Sequence, residues 1–164
     1  MKFPLVILLI FFSAFSYSQN VFELSDTLVE VGDEHLFKIR WVICKGYSFF
    51  NDNEFAEESK MALDSLAEFL TLKRGVKIQI SDHKDSRGTD TSNLRLTQLR
   101  ADHIKRYLLK KGIDSNRIIA IGCGESQPIH TDKEINEYKV TDKLKYEQLH
   151  QENQRTIVKI IHIE

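Results

Sequence analysis

Apolar and polar positions change period several times along this chain, and each change marks a predicted element. Phe3 to Phe12 is apolar almost without a break, interrupted only by Pro4. From Phe22 to Val42 the pattern reads as extended. Val29 and Val31 alternate with charges, Gly32-Asp33 signals a turn, and Leu36, Ile39, Trp41 and Val42 resume the apolar content. Asn51-Asp52-Asn53 then offers N-cap oxygens, and Glu54, Glu57 and Glu58 place negative charge where a helix dipole favours it. Ala62, Leu63, Leu66, Phe69 and Leu70 recur at helical spacing, and Gly75 closes that helix.

The period then drops to two. Val76, Ile78 and Ile80 alternate with Lys77, Gln79 and Ser81, which predicts a strand with one buried face. A polar loop from Asp82 to Thr91 follows, with Gly88 at its centre. A second helix runs from about Ser92 to Lys111, with Ala101, Ile104 and Leu108 as its core stripe. Gly112 ends it, and Ile113 is placed for the apolar contact that accompanies such a cap. Arg117 to Ile121 is another strand, ended by Gly122-Cys123-Gly124. Thr131 to Glu152 is charged, a helix or an ordered insertion, and Thr156 to Ile163 is a final strand. This order predicts an α/β fold, an α+β sandwich of βαβαβ(α)β order with helices packed on a mixed four-stranded sheet. There is no internal repeat and no low-complexity linker.

The amino-terminal run changes the compartment. Lys2, the short apolar stretch, and then Ser13, Ala14, Ser16 and Ser18 form the three-part pattern of a secretory signal peptide over residues 1–18, with Gln19 as the first mature residue. The apolar run is about half the roughly 20 residues that span a bilayer, which argues against a membrane anchor and leaves no transmembrane segment in the mature chain. About 145 residues remain, enough for one domain with its own core. Acids and bases nearly balance, 24 against 23, so nothing argues for a nucleic-acid partner. Cys44 and Cys123 could pair in an exported chain or stay as small buried residues, and the unpaired reading is slightly preferred. Neither has the close Cys/His spacing of a zinc site.

The chemistry concentrates between Ile78 and Ala101. Asp85 lies in the loop and Arg100 in the helix that follows. Such a pair suits a small molecule carrying both a carboxylate and an ammonium group, although spacing alone favours an ordinary surface ion pair. Asp82, His83 and Asp85 within four residues invite a metal reading, but such a cluster on a loop is a common accident. No nucleophile–base pair or metal triad can be assembled, so an enzyme is not expected and no cofactor is implied.

Asp82-His83-Lys84-Asp85-Ser86-Arg87-Gly88 followed by Asn93-Leu94-Arg95-Leu96-Thr97-Gln98-Leu99-Arg100-Ala101 resembles the signature of the OmpA C-terminal-like domain family, G-H-T-D-x-x-G and then N-x-x-L-S-x-x-R-A. Tyr107-Leu108, Lys111-Gly112-Ile113, Arg117-Ile118, Gly122 to Ile129, and Asn153-Gln154-Arg155-Thr156 resemble later family motifs in register. The resemblance covers roughly Phe37 to Ile163. It divides the chain into a signal peptide (1–18), a short extended segment (19–36) and an OmpA-like domain (37–164).

The resemblance implies non-catalytic binding of peptidoglycan in a Gram-negative envelope, through the diaminopimelate of the stem peptide. Asp85 matches the family's loop acid and Arg100 its helix base, so these two are the expected ligand-binding residues. His83, Lys84, Asn93, Thr97 and Arg155 are expected to support the site, with Arg155 bracing the loop. A guanidinium grips a carboxylate through two parallel donors, and a loop carboxylate accepts from an ammonium.

Three departures cluster at the site. Asp82 stands where the family has Gly, Lys84 where it has Thr, and Gln154 where it has Arg. Asp82 is expected to repel a ligand carboxylate and Lys84 to offset it. These changes motivate a second reading, a divergent structural or protein-interaction module. With only a short segment ahead of the domain, and neither barrel nor lipid-bearing Cys, the expectation is a periplasmic protein, free or held at the outer membrane by an envelope partner.

Overall fold

The computed structural model describes residues 30–37, 55 and 57–164. The predicted signal peptide, the predicted extension from Phe22 to residue 29 and Cys44 lie outside the described residues, as do Trp41 and Val42.

Four strands form one mixed sheet: β1 (Glu34–Phe37), β2 (Lys77–His83), β3 (Ile118–Gly124) and β4 (Thr156–His162). Their spatial order is β1-β4-β2-β3, with β2 parallel to β3 and antiparallel to β4, and β1 antiparallel to β4. Helices α1 (Glu57–Leu72) and α2 (Asp90–Lys110) supply the core with the sheet, and α3 (Asp132–Glu137) and α4 (Lys143–Asn153) precede β4. Among the described residues the first strand of the sheet starts at Glu34.

The core is built from the positions that the periodicity picks out. Leu63, Leu66 and Leu70 of α1, Ile104 and Leu108 of α2, Ile78 and Ile80 of β2, Ile118 of β3, and Val158 and Ile160 of β4 are all buried. Burying each such side chain contributes about 1.5–3 kcal/mol before entropy is counted. Helix α2 ends where the sequence predicts. Gly112 takes φ +90° and donates to Leu109 O at 3.0 Å, and Ile113 donates to Leu108 O at 3.2 Å while its side chain enters the core. These two bonds satisfy the last carbonyls of the helix in a Schellman arrangement.

Three details depart from the expected pattern. The alternation of β2 breaks after Ile80, because Ser81, Asp82 and His83 are all buried. Central placement between β3 and β4 pairs both edges of this polar end of the strand. The charged segment forms two short helices. Thr131 and Glu134 close a capping box on α3, and Asp142 caps α4 by accepting from Lys145 N at 2.9 Å.

The edge strand β3 is the third departure, since it spans Ile118–Gly124 and so runs on through the Gly122-Cys123-Gly124 expected to end it, and α2 supplies partners for its backbone. Lys105 Nζ donates to Ile118 O at 2.7 Å, and Gln98 Nε2 donates to Ala120 O at 3.3 Å. Gln98 Oε1 accepts from Gly122 N at 2.8 Å, and Thr97 Oγ1 accepts from Gly124 N at 2.9 Å. Gly122 lets the helix approach this closely, because a Cβ there would lie 2.1 Å from Gln98 N.

Candidate functional site

The carboxyl ends of β2 and β3 and the start of β4 meet at one end of the sheet, since Asp82 pairs with both Gly122 and Thr156. The loop leaving β2 passes over this end and is pinned from three sides. His83 N donates to Arg155 O and Lys84 N donates to Gly124 O, each at 2.8 Å. From α2, Asn93 Nδ2 donates to Asp85 O at 3.1 Å and also to the Glu125 carboxylate. Ser86 Oγ donates to Asp132 at the start of α3.

Asp85 stands at the centre of this loop with its side chain fully buried. Arg87 reaches it with Nε at 2.8 Å and a second guanidinium nitrogen at 2.6 Å. Gln154 Nε2 donates to the same oxygen, Oδ2, at 2.8 Å, while the Lys84 ammonium and Arg87 N, at 3.3 Å, take Oδ1. Burial pushes the Asp85 carboxyl upward, but the hydrogen bonds from Arg87 and Lys84 outweigh it and hold the group below its ordinary value. Asp85 is therefore an ionised carboxylate in a cationic socket.

Helix α4 closes the far side. Glu147 accepts from Arg87 at 2.8 Å, and His150 Nδ1 lies 3.7 Å from Asp85 Oδ2. Burial and the Arg87 charge lower the His150 pKa, and neither ring nitrogen has a hydrogen-bond partner.

Arg100 occupies a second cluster, on α2. Its side chain is one fifth exposed, and its guanidinium lies 4.0 Å from Asp82 Oδ1. The Asp82 carboxyl is buried and accepts at Oδ2 from Thr156 Oγ1 at 2.7 Å, while Oδ1 has no hydrogen-bond partner. Burial pushes Asp82 up to about 7, and Arg100 and Thr156 only partly oppose it.

The sequence-predicted residues thus converge on one end of the sheet, but in two clusters. The ion pairs of Asp85 are with Lys84 and Arg87, and Arg100 has Asp82 beside it. Lys84, expected to offset the charge of Asp82, has its ammonium on the Asp85 carboxylate. His83 is buried, with Nδ1 unpartnered, and burial with the Arg155 charge lowers its pKa to about 4, which keeps it neutral. Asn93 holds the loop, Thr97 accepts from Gly124 N, and Arg155 donates to Gln127 O at 2.9 Å and Asn153 O at 3.3 Å. No group of His, Cys, Asp and Glu among the described residues is arranged to hold a metal.

Sequence reasoning passed over Arg87, Glu147 and His150. Arg87 carried a usable signal, a guanidinium two residues from the key acid on a short loop. Glu147 and His150 carried none, since their contacts span the fold.

Residues 49–141 match the model of the OmpA family. Over 109 residues the chain is 39% identical to a peptidoglycan-associated lipoprotein of Buchnera aphidicola subsp. Baizongia pistaciae, covering 65% of this chain and 61% of that protein. The chain thus spans somewhat less than two thirds of that relative's length. Among solved structures, the peptidoglycan-associated lipoprotein from Burkholderia pseudomallei superposes with a TM-score of 0.50 at 21% identity, covering 75% of this chain and 89% of that one. The cell wall anchor of the T6SS from Pseudomonas aeruginosa superposes with a TM-score of 0.50 at 22% identity, covering 68% and 71%. At these identities the structural likenesses establish the fold alone.

Proposed function

The chain belongs to the OmpA family, and from that premise we propose that it binds peptidoglycan in the cell envelope without catalysing a reaction, gripping the diaminopimelate of the stem peptide. The reading rests on one observation above the others: Asp85, held ionised, and Arg100, partly exposed, flank the same end of the sheet. A carboxylate and an ammonium on one carbon would find a guanidinium at one end and a carboxylate at the other. Loss of Arg100 would leave the ligand carboxylate unpaired, at about 2–5 kcal/mol. The relatives named above point the same way, one as a lipoprotein associated with peptidoglycan and one as a cell wall anchor. Their names also support an envelope location on the periplasmic side. No helix among the described residues is long and apolar enough to cross a membrane.

A pull-down with purified sacculi tests the proposal. The wild-type chain co-sediments, and Arg100→Ala and Asp85→Ala each lose most of the bound fraction. Equal binding by wild type and both variants would refute the site.

A second reading, a protein-interaction module with little affinity for peptidoglycan, is favoured by one observation. Tyr138, Val140 and Leu144 are exposed at the turn between α3 and α4. Calorimetry with a diaminopimelate-containing muropeptide separates the two, since no heat at millimolar ligand leaves only the interaction module.

A further inference from the structure

Two residues of the site carry the same charged groups as the ligand proposed for it. The Lys84 ammonium sits on Asp85, and the Asp82 carboxylate faces Arg100. We infer that Asp82 and Lys84 together act as an internal stand-in for the ligand's amino-acid head, so that peptidoglycan must compete with them for Arg100 and Asp85 rather than enter an open pocket. This inference rests on the reading of Arg100 and Asp85 as the gripping pair.

The geometry separates these two residues from the framework around them. Asp85 keeps Arg87 and Gln154 as donors whether or not Lys84 is present, both within 2.8 Å. The Lys84 ammonium is therefore a surplus cation on a carboxylate that is already held in place. Its main chain stays fixed through Gly124 O, so only the flexible side chain need leave. A ligand ammonium arriving at Oδ1 would replace one cation by another without disturbing the remaining contacts.

Asp82 is likewise only partly engaged. Thr156 holds one carboxylate oxygen at 2.7 Å, while the other faces Arg100 at 4.0 Å, beyond hydrogen-bond length. Arg100 is drawn to this carboxylate without being gripped by it. A ligand carboxylate offers two acceptors in the plane of the guanidinium and a closer approach, and bidentate contact is the stronger arrangement. Before binding, the internal carboxylate lowers the field that Arg100 presents. After binding, it stands as a like charge behind the ligand, which weakens the complex.

A purely structural role for the two residues predicts weaker or unchanged binding when they are altered. A stand-in predicts the opposite. Asp82→Asn preserves the side-chain shape and the acceptor for Thr156, and Lys84→Gln removes the ammonium while keeping a polar, somewhat shorter side chain. Calorimetry with a diaminopimelate-containing muropeptide should show each single variant binding several-fold tighter than wild type, and the pair about tenfold tighter. Adding Arg100→Ala to the double variant should abolish the gain. Thermal unfolding of every variant verifies that the fold is intact, and if one single variant fails to fold, the other carries the test.

A double variant that binds no tighter than wild type, while Arg100→Ala still reduces binding, overturns the stand-in and leaves the gripping pair in place. Binding that ignores Arg100→Ala in both backgrounds, or no binding by any form at millimolar ligand, overturns both.

Discussion

Gln154 donates its side-chain amide to the buried carboxylate of Asp85 at 2.8 Å, tying the end of α4 to the loop that leaves β2. Together with Arg87 and Lys84 it surrounds that carboxylate with donors, and the three are unequal. Arg87 brings charge and two nitrogens, so removing it leaves a buried ion short of its main partner. Arg87→Ala should destabilise the fold by about 2–3 kcal/mol, and Gln154→Ala by about 1 kcal/mol. Urea denaturation at neutral pH measures both. Equal losses from the two variants would contradict this ranking.

Asp82 and Asp85 respond to pH in opposite senses. The Asp85 carboxyl lies below its ordinary value in the folded state, so its contribution is present above the ordinary carboxylate range and is lost as acidification proceeds from that range down through the lowered folded value. Asp82 is raised to about 7 from 3.8, so the folded state holds its proton more tightly than the unfolded chain. Stability therefore falls as pH rises from roughly 4 to 7, by an upper limit of about 4 kcal/mol. Asp82→Asn removes this loss. Denaturation midpoints of the variant and wild type should diverge between pH 5 and pH 8, with the variant gaining at pH 8. Parallel curves would show that Asp82 titrates normally.

Gly122 and Gly112 separate two reasons for glycine. At Gly122 an added Cβ would lie 2.1 Å from Gln98 N, so α2 would have to lift away from β3. Gly122→Ala should cost about 3 kcal/mol or more, in the manner of an overpacked core. At Gly112 nothing lies within 4 Å, and the demand is the backbone conformation alone, φ +90°. Gly112→Ala should cost about 1 kcal/mol. Thermal melts of the two variants check the order, and a larger loss at Gly112 would reverse the reasoning.

The elements with local causes were legible in the sequence. Helix α2 shows its stripe at Ala101, Ile104 and Leu108 and its stop at Gly112-Ile113, and both features act within one turn of themselves. Strand β2 was legible only as far as Ile80. Ser81, Asp82 and His83 are all buried at the end where β2 meets β3 and β4, which no local period records. Asp85 and Arg100 were singled out by type and spacing, yet their separate surroundings were not foreseen. Gln154, read as a lost arginine, is a neutral donor to Asp85 from the other end of the domain. The contact of Lys84 with Asp85, its neighbour in sequence, forms once the loop closes.

The protection of β3 leads to a last expectation. An edge strand presents backbone groups to any other strand that approaches, and β3 also exposes Ile119 and Ile121. Here Lys105, Gln98 and Thr97 occupy the carbonyls of Ile118 and Ala120 and the N–H groups of Gly122 and Gly124. Gln98 bonds both Ala120 and Gly122, so it guards the middle of the strand. Gln98→Ala with Lys105→Ala should leave the core intact, because neither side chain belongs to it, but should uncover three of these four groups. The double variant should therefore self-associate at concentrations where wild type does not, and light scattering on a dilution series measures this. The two forms should share a similar melting temperature at low concentration, within the roughly 1 kcal/mol expected per lost hydrogen bond. A variant that scatters no more than wild type would show that the twist of the strand, rather than the helix side chains, keeps this edge closed.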